Sequence, residues 1–181
     1  MKKIAFALAA LIGAASAQAQ VYGNIAVGSS HLNADCAGTT SCSTSDTGAK
    51  LVGGYAFGNG LSVEAGYISF GKFHATEGTA SVAIKPTAFT LGGAFALPLG
   101  TAWGMNVRLG VAQVKTDVSA IVGTLTGSDS QSKAKVYAGV GLTYALSKEF
   151  KLELGLDSTE AEYAGTKGTL RLISLGATYA F

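Results

Sequence analysis

The sequence predicts an all-β fold, an eight-stranded antiparallel up-and-down transmembrane barrel, and three observations carry that prediction. The closing stretch alternates: Ile173, Leu175, Ala177, Tyr179 and Phe181 fall on one face, and Ser174, Gly176, Thr178 and Ala180 on the other. Strict alternation marks a strand, and an apolar face opposite a small, uncharged one suits lipid on one side and a narrow lumen on the other. The second observation is compositional. Hydrophobic residues make up 48% of the 181 and charged residues 13%, yet no apolar run of about 18 to 20 residues follows the first twenty positions, so no helix can span a bilayer. Third, eight alternating segments are joined by connections that run long, short, long, short, long, short, long. That order puts both termini at the short-turn end, as an up-and-down membrane barrel requires. Closure follows, because an open edge in lipid would leave backbone groups unpaired at several kcal/mol each.

Taken in order, the chain opens on Lys2-Lys3, an apolar stretch from Ile4 to Ala15 and a small-x-small site at Ala17-Gln18-Ala19. These are the three parts of a secretory signal peptide. Residues 1–19 are therefore expected to be removed, leaving 20–181 as one barrel domain. Losing Lys2 and Lys3 reduces the 13 basic residues to 11, equal to the 11 acidic ones. A formally neutral chain suggests no nucleic-acid partner.

The first strand begins at Val21, with Val21, Gly23, Ile25 and Val27 on one face. A polar stretch from His31 to Thr47 follows and holds both cysteines, Cys36 and Cys42. In a chain exported to an oxidising compartment a small disulfide loop is expected, with free thiols as the alternative. No further Cys or His stands at ligand spacing, so no metal site is expected. The second strand runs from Lys50 to Phe57, and Gly58-Asn59-Gly60 turns into the third, whose outer face is Leu61, Val63, Ala65 and Tyr67. His74 to Thr79 reads as a polar loop. In the fourth strand Phe89, Leu91, Gly93, Phe95 and Leu97 alternate with small residues, whereas Val82 and Ile84 have the opposite parity. Pro86 lies between the two phases and predicts a bulge or a strand end.

After the short turn Pro98 to Thr101, Trp103, Met105, Val107, Leu109 and Val111 form the outer face of the fifth strand. Lys115 to Lys133 is a long polar connection whose Val118 to Leu125 part extends the hairpin beyond the membrane. Val136 to Leu146 is the sixth strand, Ser147-Lys148-Glu149 a turn, and Phe150 to Leu156 the seventh. Thr159 to Lys167 reads as the last polar loop, and the eighth strand starts at Thr169. Outward aromatics collect beside the short turns: Phe57, Phe95, Trp103, Tyr144, Phe150, Tyr179 and Phe181. Such a collection is an interfacial girdle.

The inward face carries few charges: Lys50, Glu64, Arg108, Lys135, Lys151 and Glu153. An eight-stranded barrel is just wide enough to be filled by its own side chains. A paired polar network is therefore expected, with Glu64, Arg108 and Glu153 close in height.

Several stretches resemble a known family. Ser174-x-Gly176-x-x-Tyr179-x-Phe181 looks like the C-terminal signal read by the bacterial outer-membrane assembly machinery. Gly139-x-Gly141-x-x-Tyr144, with Leu152-Glu153-Leu154 after it, and Arg108 to Ala112 are similar to strands of the outer membrane protein A transmembrane domain. The chain stops at Phe181, so the likeness is to the barrel-only type, such as outer membrane protein X and neisserial surface protein A. The resemblance implies residence in the outer membrane of a Gram-negative bacterium as a monomer, contact with its lipid and lipopolysaccharide, and delivery by the assembly machinery through Ser174, Gly176, Tyr179 and Phe181. It also implies a non-enzymatic role in envelope integrity or surface binding through long extracellular loops.

Two other function classes fit such a barrel. One is a narrow channel for small solutes or ions. Another is a lipid A-modifying enzyme, for which His31 and His74 are the only histidines; a solvated loop position accounts for both more simply. No phosphate-cradling loop opens a helix, and no cofactor is expected. The loops carry Asp35, Asp46, Glu77, Asp117, Asp129, Glu160 and Glu162, which could meet divalent cations bridging lipopolysaccharide, though none has calcium-loop spacing.

Overall fold

The computed structural model describes residues 20–33, 41–78, 80–122, 125–163 and 165–181. Residues 1–19, the expected signal peptide, and Cys36 lie outside them. Among the described residues ten strands follow one another: β1 (Gln20–Asn33), β2 (Ser41–Ser43), β3 (Ser45–Ala56), β4 (Leu61–Ser69), β5 (Phe73–Glu77), β6 (Ala80–Pro98), β7 (Trp103–Val122), β8 (Leu125–Ala145), β9 (Phe150–Tyr163) and β10 (Thr166–Ala180). Eight form the wall in the order β1-β3-β4-β6-β7-β8-β9-β10, and β10 pairs back onto β1, all antiparallel. This is the closed eight-stranded barrel that the alternation predicts. The closing seam runs from Tyr22↔Ala180 to Asn33↔Thr169, and the Phe181 amide donates to the Val21 carbonyl at 2.9 Å. No edge remains in the wall to meet lipid.

Outward positions are apolar and exposed through the middle of the wall, among them Ile25, Leu51, Tyr67, Phe89, Leu109, Val136 and Ile173. A water-soluble protein would bury such residues; here they form a continuous lipid-facing belt. All seven expected girdle aromatics are exposed on that face. The register sets Trp103 against Tyr144 and Tyr179 against Phe150, and the Trp103 and Tyr144 rings lie 4.9 Å apart.

The polar connections at the other end are far more ordered than their composition suggests. Thr159 to Lys167 lies almost wholly in β9 and β10, and β7 and β8 run on until only residues 123–124 separate them. His74 to Glu77 belongs to β5, which pairs with β6 and carries β2 beside it. The Val118 to Leu125 part extends its hairpin as expected, Val118 to Val122 pairing with Asp129 to Leu125, whereas His74 to Glu77 and Thr159 to Lys167 carry no apolar face that a sequence reading could detect. Gly58 and Gly60 take the positive φ, while the Asn59 side chain accepts from the Leu61 amide at 3.1 Å.

Pro86 does not break its strand. β6 pairs with β7 without interruption, Pro86 opposite Thr116. The irregularity lies on the other side, where the register moves from Ser69↔Thr87 to Phe73↔Ile84, one extra residue on the β4–β5 side. The Phe70 amide donates to the Pro86 carbonyl there at 3.2 Å. In a strand, a residue's amide and carbonyl face the same neighbour, so the donor that Pro86 lacks would have pointed at this bulge. Gly71 turns the bulge with φ +77°, and Asp46 holds it by accepting from the Lys72 and Thr47 amides.

Those two backbone donors, Lys72 foremost, hold the Asp46 carboxyl below the ordinary carboxylate range. A depressed pKa means that the tether is complete above the ordinary value and is lost as pH falls through the lowered one. The Lys72 amide resonance should therefore titrate below the usual carboxylate range, and Asp46→Asn should abolish that titration. A Lys72 amide that moves at the ordinary value would refute the tether.

A two-layer plug in the lumen

Inward-facing groups form two layers. Nearer the short turns, the Arg108 guanidinium on β7 donates from Nε to Glu64 Oε2 at 2.9 Å and from Nη1 and Nη2 to Glu153 at 2.9 and 2.8 Å. The contact with Glu153 is bidentate, the geometry in which arginine holds a carboxylate most firmly. Lys50 on β3 lies 2.6 Å from Asp157 and 3.6 Å from Glu153. The Tyr22 hydroxyl donates to Glu64 at 2.6 Å, the Tyr137 hydroxyl donates to Asp157, and the Asn106 amide donates to Glu153 at 3.2 Å. All five ionised groups are buried. Two cations face three carboxylates, so the hydroxyls and the amide complete what the charges leave unpaired.

Small residues make room for this layer. A methyl group added at Gly139 would lie 2.7 Å from Asp157 Oδ1, and one at Gly141 would lie 3.0 Å from the Glu153 carboxyl carbon. The glycines of Gly139-x-Gly141 thus give the charged side chains their space.

Toward the long-loop end the lumen turns apolar. Leu32, Ile68, Phe70, Phe73, Val114, Leu170 and Leu172 pack together with Ala88, Ala112, Ala161 and the ring of Tyr137. Ile68, Phe70, Leu170 and Leu172 have no exposed surface. The layers touch, because Leu172 is the register partner of Asp157 and Ile68 that of Lys50. On the short-turn side a vestibule of about 670 Å³ opens between walls of small residues and ends at Tyr22, Glu64 and Arg108.

Of the charges expected in a single network, Glu64, Arg108, Glu153 and Lys50 come together and two do not. Lys151 is exposed on the vestibule wall and makes no ion pair among the described residues, because it lies two positions closer to the rim than Glu153. Lys135 sits beyond the plug, bonded to Glu162 and 3.7 Å from Glu160. Sequence reasoning missed Asp157, Tyr22 and Tyr137, although Asp157 shares the parity of Glu153 four residues away. Cys42 lies on β2 and no described cysteine is free. His31 Nδ1 is 2.9 Å from Ser45 Oγ on the outer surface, its partner across the seam is Arg171, and no described carboxylate bonds its ring.

The family model described as the OmpA-like transmembrane domain matches residues 16–181. No curated protein matches the sequence. Among solved structures, neisserial surface protein A superimposes with a TM-score of 0.61 at 12% identity, over 89% of this chain and 97% of that one. The attachment invasion locus protein Ail of Yersinia pestis gives 0.58 at 20% identity, over 91% and 99%. The N-terminal barrel of Pseudomonas aeruginosa OprF gives 0.56 at 16% identity, over 91% and 100%. With the closed wall, the lipid-facing belt and the family match over nearly its whole length, the chain belongs to the OmpA-like transmembrane domain family, an outer-membrane β-barrel.

Proposed function

We propose that this protein is a non-conducting, non-enzymatic barrel that contributes to envelope integrity or surface binding through its long-loop end. The observation that carries this reading is the double plug: a solute in the vestibule would have to break the Arg108 ion pairs and then cross a packed apolar layer. Ion passage through such a layer carries the cost of unpaired charge in an apolar interior. The extended hairpins at the far end supply a rigid rim, the usual place for binding on a stable scaffold. In this reading the rim faces outward, residues 1–19 are removed on export, Cys36 pairs with Cys42, and Ser174, Gly176, Tyr179 and Phe181 address the chain to the assembly machinery. It acts as a monomer in contact with outer-membrane lipid and lipopolysaccharide, with no nucleic-acid partner and no cofactor.

A narrow channel is the second reading, favoured by the vestibule, which already opens part of the lumen. Pure protein in a planar bilayer should give no discrete conductance steps, and lipid A from cells expressing it should keep its mass. Regular steps would replace the proposal with the channel. A changed lipid A mass would replace it with an enzyme.

A further inference from the structure

Just beyond the lipid-facing belt, on one side of the barrel, three lysines gather on the outer surface. Lys85 on β6 and Lys115 on β7 have the outward parity of Phe89 and Val111 and are exposed. Lys85 is the register partner of Asp117 and Thr87 that of Lys115, so the two lysines are diagonal neighbours. The Phe70 amide bonds the Pro86 carbonyl and the buried Phe73 pairs with Ile84, so the exposed Lys72, in the bulge between them, runs alongside Lys85. Asp117, 2.7 Å from Lys115, and Asp46, whose carboxylate accepts from the Lys72 amide, are the acids beside them, so three lysines face two carboxylates.

Directly below, Tyr67 and Phe89 are cross-strand partners, both at least half exposed, with Leu91 and Val111 continuing the belt. Lys85 is four residues beyond Phe89, roughly 13 Å along the strand, with the exposed lysine stems free to reach in either direction. Cations above an aromatic pair above aliphatic surface match, in order, the phosphate, sugar and acyl regions of an amphiphile. Lysine binds phosphate as a mobile point charge.

We propose that Lys72, Lys85 and Lys115 form a docking site for the phosphorylated sugar headgroup of an outer-leaflet glycolipid, whose acyl chains lie on Tyr67, Phe89 and Leu91. This rests on the outer-membrane reading with the long-loop end outward, and it assigns the lipid partner of that reading to one patch of the wall. The occupant is a membrane lipid and not a free anion, because the patch is continuous with the apolar belt.

The test uses the folded mature chain in neutral-detergent micelles titrated with bisphosphorylated lipid A, beside the triple variant Lys72→Gln, Lys85→Gln, Lys115→Gln. The three side chains are exposed, so the variant should keep the wild-type gel shift on boiling. Its affinity should fall roughly tenfold to a hundredfold, each lysine near an anionic lipid surface contributing a few-fold. Dephosphorylated lipid A should bind the wild type about as weakly as bisphosphorylated lipid A binds the variant. Equal affinities for variant and wild type would overturn the proposal, as would indifference to the phosphates. Inorganic phosphate binding as tightly as lipid A would overturn the lipid assignment. Protease added to intact cells reads the orientation separately: cleavage at the long-loop end supports the outer-leaflet source, and full protection removes it whatever the micelle titration gives.

Discussion

Arg108→Ala should lower the stability of the folded barrel by about 3–5 kcal/mol, whereas Lys72→Ala, at an exposed position, should leave it within about 0.5 kcal/mol of wild type. The asymmetry comes from what each side chain leaves behind. Arg108 is the common partner of Glu64 and Glu153, and its loss leaves three buried carboxylates facing Lys50 alone. Water from the vestibule can reach Glu64, the most exposed of the three, which pulls the cost toward the lower end of the range. Lys72 contributes its backbone amide to Asp46, and an alanine keeps that amide. Denaturant unfolding in detergent, followed by the loss of the unboiled gel mobility, measures both effects. Equal midpoints for the two variants would refute the ion-pair layer as a structural element.

Much of the fold was legible because lipid and lumen impose period two on every strand that crosses the membrane. Phe89 to Leu97 and Trp103 to Val111 could be assigned from alternation alone, and the short turns at Pro98 to Thr101 and Ser147 to Glu149 fixed the order of strands. Where the chain leaves the membrane that constraint ends. Thr159 to Lys167 became strand through cross-strand pairing, which leaves no apolar stripe to read, whereas Val118 to Leu125 still read as an extension of its hairpin. Pro86 predicts a bulge or a strand end, and the bulge is there, but on the neighbouring strand that its missing donor faces, while β6 itself runs on. That outcome depends on which edge a residue presents, and a linear sequence does not state it.

The lumen was legible in part for a related reason. Glu64, Arg108 and Glu153 are isolated charges among small residues, so their shared face and height stood out. Leu170 and Leu172 continue the inward parity of Ser174, and Ile68 and Phe70 that of Glu64, but Thr169, Arg171 and Ser69 stand opposite them, so at that height the apolar face passes from the outside of the wall to the lumen. Asp157 lay at a readable position, and its meaning came only when closure of the wall brought Lys50 to it across 107 residues of sequence.

The apolar layer gives the second large effect. Phe70→Ala should destabilise the barrel by about 3–5 kcal/mol, since its ring is fully buried between the wall and Leu170 and Leu172, and the bulge backbone cannot collapse into the space. The Phe70 backbone is fixed independently of its ring: its amide donates to Pro86, and its carbonyl shares the single Ser30 hydroxyl proton with the Asp46 carbonyl, 2.9 Å from Ser30 Oγ. Removing the ring should therefore leave a cavity and not a rearranged strand. Conductance separates the roles of the two layers. Phe70→Ala opens the apolar layer alone, and the Arg108 layer beneath it still bars the lumen, so the variant should stay silent in a planar bilayer despite its lower stability. Arg108→Ala opens the charged layer alone and should also stay silent, because the apolar layer then remains as an unsolvated barrier to ions. If Phe70→Ala conducts and Arg108→Ala does not, the apolar layer is the sole seal and the ion pairs serve stability only. If the reverse holds, the charged layer is the gate and the closed lumen described above is the resting state of a channel.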